Sequence, residues 1–459
     1  MIKEKLTAMK TLTKNLTEGN LLKTLLQFAF PYIIANFLQA LYGATDLMII
    51  GHFCSSNSVS AVALGSYIMQ TITFLSAGFT VSATILIGNA FGAKEYDDIQ
   101  KIINTTMYIF AIFAVVMIIL LYIFSDNVLS ILHTPQEALS EAKNYINFCA
   151  VGIMFIVFFN LFSSILRGVG NSHAPMVFVG ISTVANCILN FILIGYFGLG
   201  AKGAAIATVI SQALSVTIAV LYIKKNNFIF SIKFRKIRFL KEIALKILKL
   251  GFPLSLQDTV MPISFLVLYT LSNAMGVSES AAYGTVVRLN AFLMLPAGSF
   301  AMALTVITAQ HLGAKEYSRA LKALKYSLTI ALSCGIVFFI WQQLLPSSAI
   351  SIFTNDKDVI AAGCDYLRTF SWDYLLVPFV FCINGFLNGL GRTTFTAGNN
   401  IMGAFFIRIP AGFLLGTMAG ATLFHIGIAA PLTSIVTIVI AISYVTILKK
   451  KNKLFPSMP

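Results

Sequence analysis

The stretch GNAFGAKEYDD at residues 88–98 returns as AQHLGAKEYSRA at 309–320, so that the pentapeptide GAKEY stands at both 92–96 and 313–317. Two further pairs flank it. FAFPY around Pro31 answers LGFPL around Pro253, and ILRGVG at 165–170 answers FLNGLG at 386–391. The three offsets are 221, 222 and 221 residues. One shared pentapeptide can arise by accident, but three collinear anchors at one spacing mark an internal duplication.

The residues between the anchors are overwhelmingly apolar. Of 459 residues, 58% are hydrophobic and 11% charged, where a soluble domain carries roughly a quarter charged residues. Apolar runs long enough to cross a bilayer, roughly 18 residues or more, recur along nearly the whole length. They predict spans at 24–50, 58–90, 102–124, 142–165, 174–197 and 203–223, then at 244–274, 281–311, 324–345, 359–388, 397–419 and 427–448. The fold class expected is an all-α membrane protein, twelve transmembrane helices in two pseudo-symmetric six-helix bundles. The bundles would be 1–223 and 244–459, joined by a basic cytoplasmic linker at 224–243. Runs 58–90 and 281–311 exceed the roughly 20 residues a bilayer needs and are expected to tilt, bend or protrude. The Lys-rich start reads as a tail, with no cleavable signal peptide.

Positive charges test this map. The tail, the segments bearing Lys94, Lys101 and Arg167, the linker, the segment from Lys315 to Lys325, Arg392, and Lys449 to Lys453 all fall on one side. The other side holds Lys143, Lys202 and Lys357. Cytoplasmic loops are the basic ones, so both termini of this multi-pass chain are expected in the cytoplasm. That bias also accounts for the net charge of +15 better than a nucleic-acid partner does, and none is expected. The six cysteines and five histidines form no CxxC and no cluster with metal-ligand spacing. No cofactor and no bound metal are expected, apart from a coupling ion.

Two parallel repeats of six helices suit a transporter whose halves rock about a midplane site. A channel more often assembles identical subunits around a pore. Acidic residues inside spans are the first candidates for such a site, because a charge at the bilayer centre costs roughly 2.5–3.5 kcal/mol. The clearest is Asp46, in LYGATDLMIIGHF at 41–53. Tyr42 lies one helical turn earlier on the same face, so its hydroxyl is expected to approach the carboxylate. A desolvated carboxylate takes up a proton or a small cation readily; near a helix end it is instead simply solvated. Asn186 and Asn190 lie one turn apart in ANCILNFIL, with Asn160 in FFNLFSS and Thr208 in GAAIATVIS. Gathered round one carboxylate, such neutral groups suit Na⁺ or a hydrogen-bonded acid. Taken singly, they read as interhelical glue.

The second half offers Asp258, Asp373 in RTFSWDYLLVPF and Arg288 in YGTVVRLNAF. A buried Arg needs a carboxylate, so Arg288 is expected to pair with Asp258 or Asp373. Pro31 and Pro253 are placed in first helical turns, where proline is benign. Pro262, Pro296, Pro378 and Pro410 lie deeper and are expected to bend their helices. RGVG and NGLG read as tight interhelical turns, since no GK[ST] accompanies them. Phe and Met side chains, 39 and 15 in number, can line a cavity for apolar cations, though most must face lipid or neighbouring helices.

Taken together, LYGATDLMIIGHF, GNAFGAKEYDD, LRGVGNS, NCILN, KGAAIATVISQ, GFPLSLQ and AQHLGAKEYSRA make the chain resemble the multidrug and toxic compound extrusion (MATE) transporters over essentially its full length. The resemblance implies two six-helix bundles around a V-shaped cavity and export of drug-like, often cationic, small molecules against inward Na⁺ or H⁺, by a monomer in the lipid bilayer; with the short loops, it also implies a cell (plasma) membrane. It carries a first-bundle cation site onto Asp46, with Tyr42, Asn160, Asn186, Asn190 and Thr208 around it. Relatives that carry a proton there often have Asp at position 190; Asn190 leaves Asp46 as the main titrating group. Another branch of the family uses a Glu in its seventh helix and an Asp in its tenth. Asp373 matches the latter, while Asp258 sits three residues before the former. The rival readings are a flippase for lipid-linked oligosaccharides on a related fold, an intramembrane enzyme and a non-transporting membrane sensor. The flippase would ordinarily have about fourteen helices and a cationic cavity, and the enzyme a catalytic constellation that is absent here.

Overall fold

A computed structural model describes residues 15–132, 134–226, 228 and 239–455. Most of the linker expected at 224–243 lies outside the described residues. The first six helices are α1 (Leu21–Phe53), α2 (Ser56–Gly92), α3 (Tyr96–Ile131), α4 (Gln136–Gly168), α5 (His173–Asn190, continued by a π-helical stretch, Phe191–Tyr196) and α6 (Gly200–Lys225). α7 (Lys241–Met275) opens the second half. The helices overrun their apolar windows. Helical hydrogen bonding does not stop where an apolar run ends, so polar turns extend each helix beyond its apolar window.

Later spans are broken. The run expected at 281–311 is two helices, α8 (Val277–Leu293) and α9 (Leu295–Gly313), bent by 40° where Pro296 opens the second. After α10 (Tyr317–Leu344) and the short α11 (Pro346–Ile350), the run expected at 359–388 is α12 (Lys357–Phe370) and α13 (Asp373–Gly389), bent by 52°. Gln343 Nε2 stitches that break, donating to Ser371 Oγ at 2.8 Å and to the Arg368 carbonyl at 2.9 Å. The run expected at 397–419 is three pieces: α14 (Thr393–Met402), π-helical Gly403–Arg408 and α15 (Ile409–Gly416), with Pro410 in its first turn. α16 (Leu423–Gly427) and α17 (Ala429–Lys450) complete the chain. Among the described residues, nine helices are long and apolar enough to cross a membrane, or eleven with each bent pair taken as one span. The three-piece run from Thr393 to Gly416 makes up the twelve.

The chain divides into two compact units: Met1–Leu16 with Phe30–Ser255, and Thr17–Ala29 with Leu256–Pro459. In the first unit α4 is the central helix, packed on α2, α3 and α6; in the second, α13 packs on α9 and α10. Each unit has its own apolar core, the first around Phe110, Phe162 and Ile165, the second around Tyr283, Leu367 and Phe370. Large apolar side chains such as Ile123 and Val337 are exposed, as surfaces that face lipid must be.

The duplication extends to backbone detail. The Lys of each GAKEY takes a left-handed conformation, φ 62° at Lys94 and 59° at Lys315. Glu95 N bonds to the Ala90 carbonyl at 2.9 Å, and Glu316 N to the His311 carbonyl at 2.8 Å. Both turns therefore close their helices by the same αL device. RGVG and NGLG do turn the chain, at Gly170 (φ 85°) and Gly391 (φ 75°). The hydroxyls of Thr84 and Thr305 donate to the carbonyls of Ser164 and Gly385 at 3.2 and 3.0 Å, pairs related by the 221-residue repeat.

Two sequence expectations are corrected. Pro31 lies well inside α1, and Pro253 well inside α7, rather than in a first turn. The helices begin earlier because the amphipathic leads LLKTLLQFAF and KEIALKILKL are themselves helical. Arg288 is exposed on α8, whose neighbours Val286 and Leu289 turn inward instead. It joins none of the ion pairs among the described residues, which are the exposed pairs Lys101–Asp98, Lys143–Asp126 and Arg368–Asp365.

Candidate cation site

Asp46 lies on α1 with only 5% of its surface exposed. Three helices of the first unit converge on it. α5 presents Asn186 and Asn190, both fully buried, from successive turns of one face. Asn190 Nδ2 donates to Asp46 Oδ1 at 2.5 Å and also reaches Asn186 Oδ1 at 3.2 Å. α6 brings the Thr208 hydroxyl and α5 the Asn186 amide against the same carboxylate. Thr208 Oγ1, Asn186 Nδ2 and Asn190 Oδ1 are nevertheless buried without a hydrogen-bond partner. Buried polar atoms are normally paired, so unsatisfied oxygens around one carboxylate fit a ligand able to coordinate oxygen. No Lys or Arg lies within ion-pair distance of Asp46 among the described residues. Nor does any cluster of three or more His, Cys, Asp or Glu side chains suited to a metal occur there. The donor set is hard oxygen, which suits Na⁺ or a proton and not a thiophilic metal.

The π-helical stretch Phe191–Tyr196 starts directly after Asn190. Such bulges widen a helix by one residue and recur at functional sites. Towards the end of α1, Phe53 packs edge-on against Phe191 with ring centres 6.1 Å apart.

Tyr42 behaves differently from the sequence expectation. Its hydroxyl pairs with Ser211 Oγ on α6 at 2.7 Å rather than with Asp46. Ser211 in turn donates to the Thr208 carbonyl at 2.9 Å, so Tyr42 braces α1 against α6 beside the carboxylate. Asn160 is half-buried on α4 and makes no hydrogen bond to Asp46. Ser211 was absent from the expected set; its only sequence signal is its place one turn beyond Thr208.

The second-unit candidates do not form one site. Asp258 accepts from Gln257 Nε2 at 3.1 Å, Gln257 Oε1 from Asn400 Nδ2 at 2.8 Å, and Asn400 Oδ1 from Asn384 Nδ2 at 3.1 Å, a chain of neutral polar groups. Asp373, the first residue of α13, is buried and accepts from Ser434 Oγ at 2.5 Å. The arginine in its surroundings is Arg408, buried at the end of the second π-helical stretch, and not Arg288. Arg408 Nη1 donates to Ser264 Oγ at 3.1 Å, and the guanidinium lies over the Phe265 ring, 4.4 Å from its centre.

Comparison with known proteins gives this geometry a family. The probable multidrug resistance protein YoeA of Bacillus subtilis (strain 168) is 24% identical over 451 residues, 96% of this chain and 97% of that protein. The multidrug export protein MepA of Staphylococcus aureus (strain MSSA476) is 26% identical over 407 residues, 87% and 88% of the two chains. Among solved structures, an outward-facing MATE family transporter of the MOP superfamily superimposes with a TM-score of 0.88 at 23% identity, over 95% of this chain and 99% of that one. A MATE in its bent conformation gives 0.89 at 22% identity, over 96% and 99%. The MatE family model matches twice, at residues 31–192 and 253–414, once in each half. The chain therefore belongs to the MatE family, the multidrug and toxic compound extrusion (MATE) transporters.

Proposed function

We propose that this chain is a secondary-active efflux antiporter that exports organic, often cationic, compounds in exchange for inward Na⁺ or H⁺ bound at Asp46. The observation that carries the reading is a buried carboxylate with no cationic partner, hydrogen-bonded by Asn190, with the Thr208 and Asn190 side-chain oxygens buried and unsatisfied. A lone charge so placed is costly unless an ion or a proton neutralises it. Arrival of the ion from outside removes that cost and changes which orientation of the bundle is favoured. Coupling requires this difference in affinity between the two orientations. One charge moving through 100 mV supplies about 2.3 kcal/mol, roughly a fifty-fold concentration ratio. That suffices for a useful pump.

The same reading places the chain in the plasma membrane with both termini cytoplasmic, as a monomer of two six-helix halves, 1–223 and 244–459, with no cofactor other than the coupling ion. The names of YoeA and MepA support drug-like substrates. Ethidium flux from proteoliposomes under independently imposed Na⁺ and pH gradients tests the proposal. One of the two gradients should drive ethidium uphill; equilibration alone under both would reject antiport.

A further inference from the structure

The duplication lets each residue of the first-unit site be carried to its counterpart in the second unit. Along α1 and α7 the anchors Pro31 and Pro253 are 222 residues apart, so Tyr42 answers Ser264 and Asp46 answers Leu268. From Gly168 and Gly389 onward the offset is 221. The π-helical Gly403–Arg408 then absorbs one extra residue, as such bulges do, and the offset returns to 222. The burial pattern agrees: Asn186 and Asn190 are the buried residues of one face, and so are Arg408 and Gly412. Packing agrees independently. Asn190 bonds to Asp46 in the first unit, and a Cβ on Gly412 would come within 2.2 Å of Leu268 Cδ2 in the second. The same pair of helices thus meets in the same register.

The second unit has therefore lost the carboxylate (Leu268) and the amide that bonds it (Gly412). In place of Asn186 stands Arg408, held by Ser264, itself the counterpart of Tyr42, and by the Phe265 ring. Its Nε is buried without a partner. The acidic group in its surroundings is Asp373, beyond ion-pair distance; Tyr283 and Tyr366 lie in the same surroundings.

We propose that Arg408 is a built-in cation filling the second unit's counterpart of the Asp46 site, with Asp373 as its counter-charge, so that this position exchanges no ion. The inference rests on the Asp46 reading above. A tethered guanidinium cannot leave, so Asp373 serves structure and field.

The test is ion uptake per ethidium exported by full-length protein in proteoliposomes, with ²²Na⁺ and an internal pH dye as the two ion readouts. D373N and the double variant R408M/D373N, which removes both charges together, should leave the ion-to-ethidium ratio unchanged. R408K, which keeps a tethered cation, should do the same. R408M alone strands Asp373 as a free carboxylate and should raise the ratio by a further ion. A lower ratio in D373N, or in the double variant where D373N folds poorly, would overturn the assignment by making Asp373 an exchange site. Coupling that survives in D46N refutes the Asp46 reading instead; the second-unit result is read from the Asp373 and Arg408 variants.

Discussion

Gly385→Ala tests the geometry on which the second unit is built. Gly385 on α13 lies where a Cβ would meet the Ala301 carbonyl oxygen of α9 at 2.3 Å and that residue's C and Cα at 2.9 and 3.0 Å. All three obstacles are backbone, so no side chain can swing aside, and the two helices must part by about 1 Å to reach ordinary contact distance. Overpacking of this kind costs about 1–3 kcal/mol. The same separation stretches the Thr305 Oγ1 to Gly385 carbonyl bond, 3.0 Å long, worth about 0.5–1.5 kcal/mol. The sum, about 2–4 kcal/mol, corresponds to a fall in apparent Tm on the order of 10 °C for a unit of this size. Gly168→Ala, one turn beyond the counterpart Ser164 on the equivalent α2–α4 crossing, is the internal control. There the nearest atoms are the Ile87 side chain at 2.7 and 2.9 Å, and the Thr84 carbonyl is 3.2 Å away, so a fall of a few degrees is expected, from about 1 kcal/mol. Thermal unfolding of the purified protein in detergent, followed by tryptophan or thiol-dye fluorescence, ranks the two. Equal melting temperatures, or a larger loss at Gly168, would refute the reasoning.

Two predictions concern the Asp46 surroundings. Thr208→Val is isosteric and removes a hydroxyl with no protein partner, so expression and Tm should hold. The concentration of coupling ion giving half-maximal ethidium efflux should rise about tenfold, the effect of losing one favourable polar contact of roughly 1.4 kcal/mol; an unchanged ion requirement would remove Thr208 from the site. Tyr42→Phe breaks the bond to Ser211 and should lower stability by about 0.5–1.5 kcal/mol while leaving the ion-to-ethidium ratio intact. A lost ratio would mean that the hydroxyl touches the ion after all.

What the sequence discloses and what it withholds follow physical lines. Asp46 announces itself because acids are rare in apolar runs, and Asn186 and Asn190 because local helical spacing puts them on one face. Ser211 bonds to Tyr42 across 169 residues of chain, and no local pattern encodes that approach. Arg288 and Arg408 look alike, each a single cation in an apolar run; which one is buried depends on helix rotation, and the π-helical stretch before Arg408 shifts that rotation by one residue. The same stretch moves the repeat offset from 221 to 222, so a rigid alignment of the halves would match Asn186 to Ile407 and hide the contrast with Arg408. α1 and α7 start ahead of their apolar runs because apolarity reports the membrane and not the helix. The GAKEY and GVG/GLG turns, by contrast, are written into short repeated motifs, and their left-handed residues fall as the motifs require.

The most direct measurement is ethidium accumulation by proteoliposomes bearing Asp46→Asn, a substitution that keeps side-chain size and leaves a partner for Asn190. With folding matched by Tm, the variant should let ethidium equilibrate but fail to concentrate it, whichever ion gradient is imposed. Uphill transport at the rate and extent of the unaltered protein would contradict the claim that this buried carboxylate carries the coupling ion.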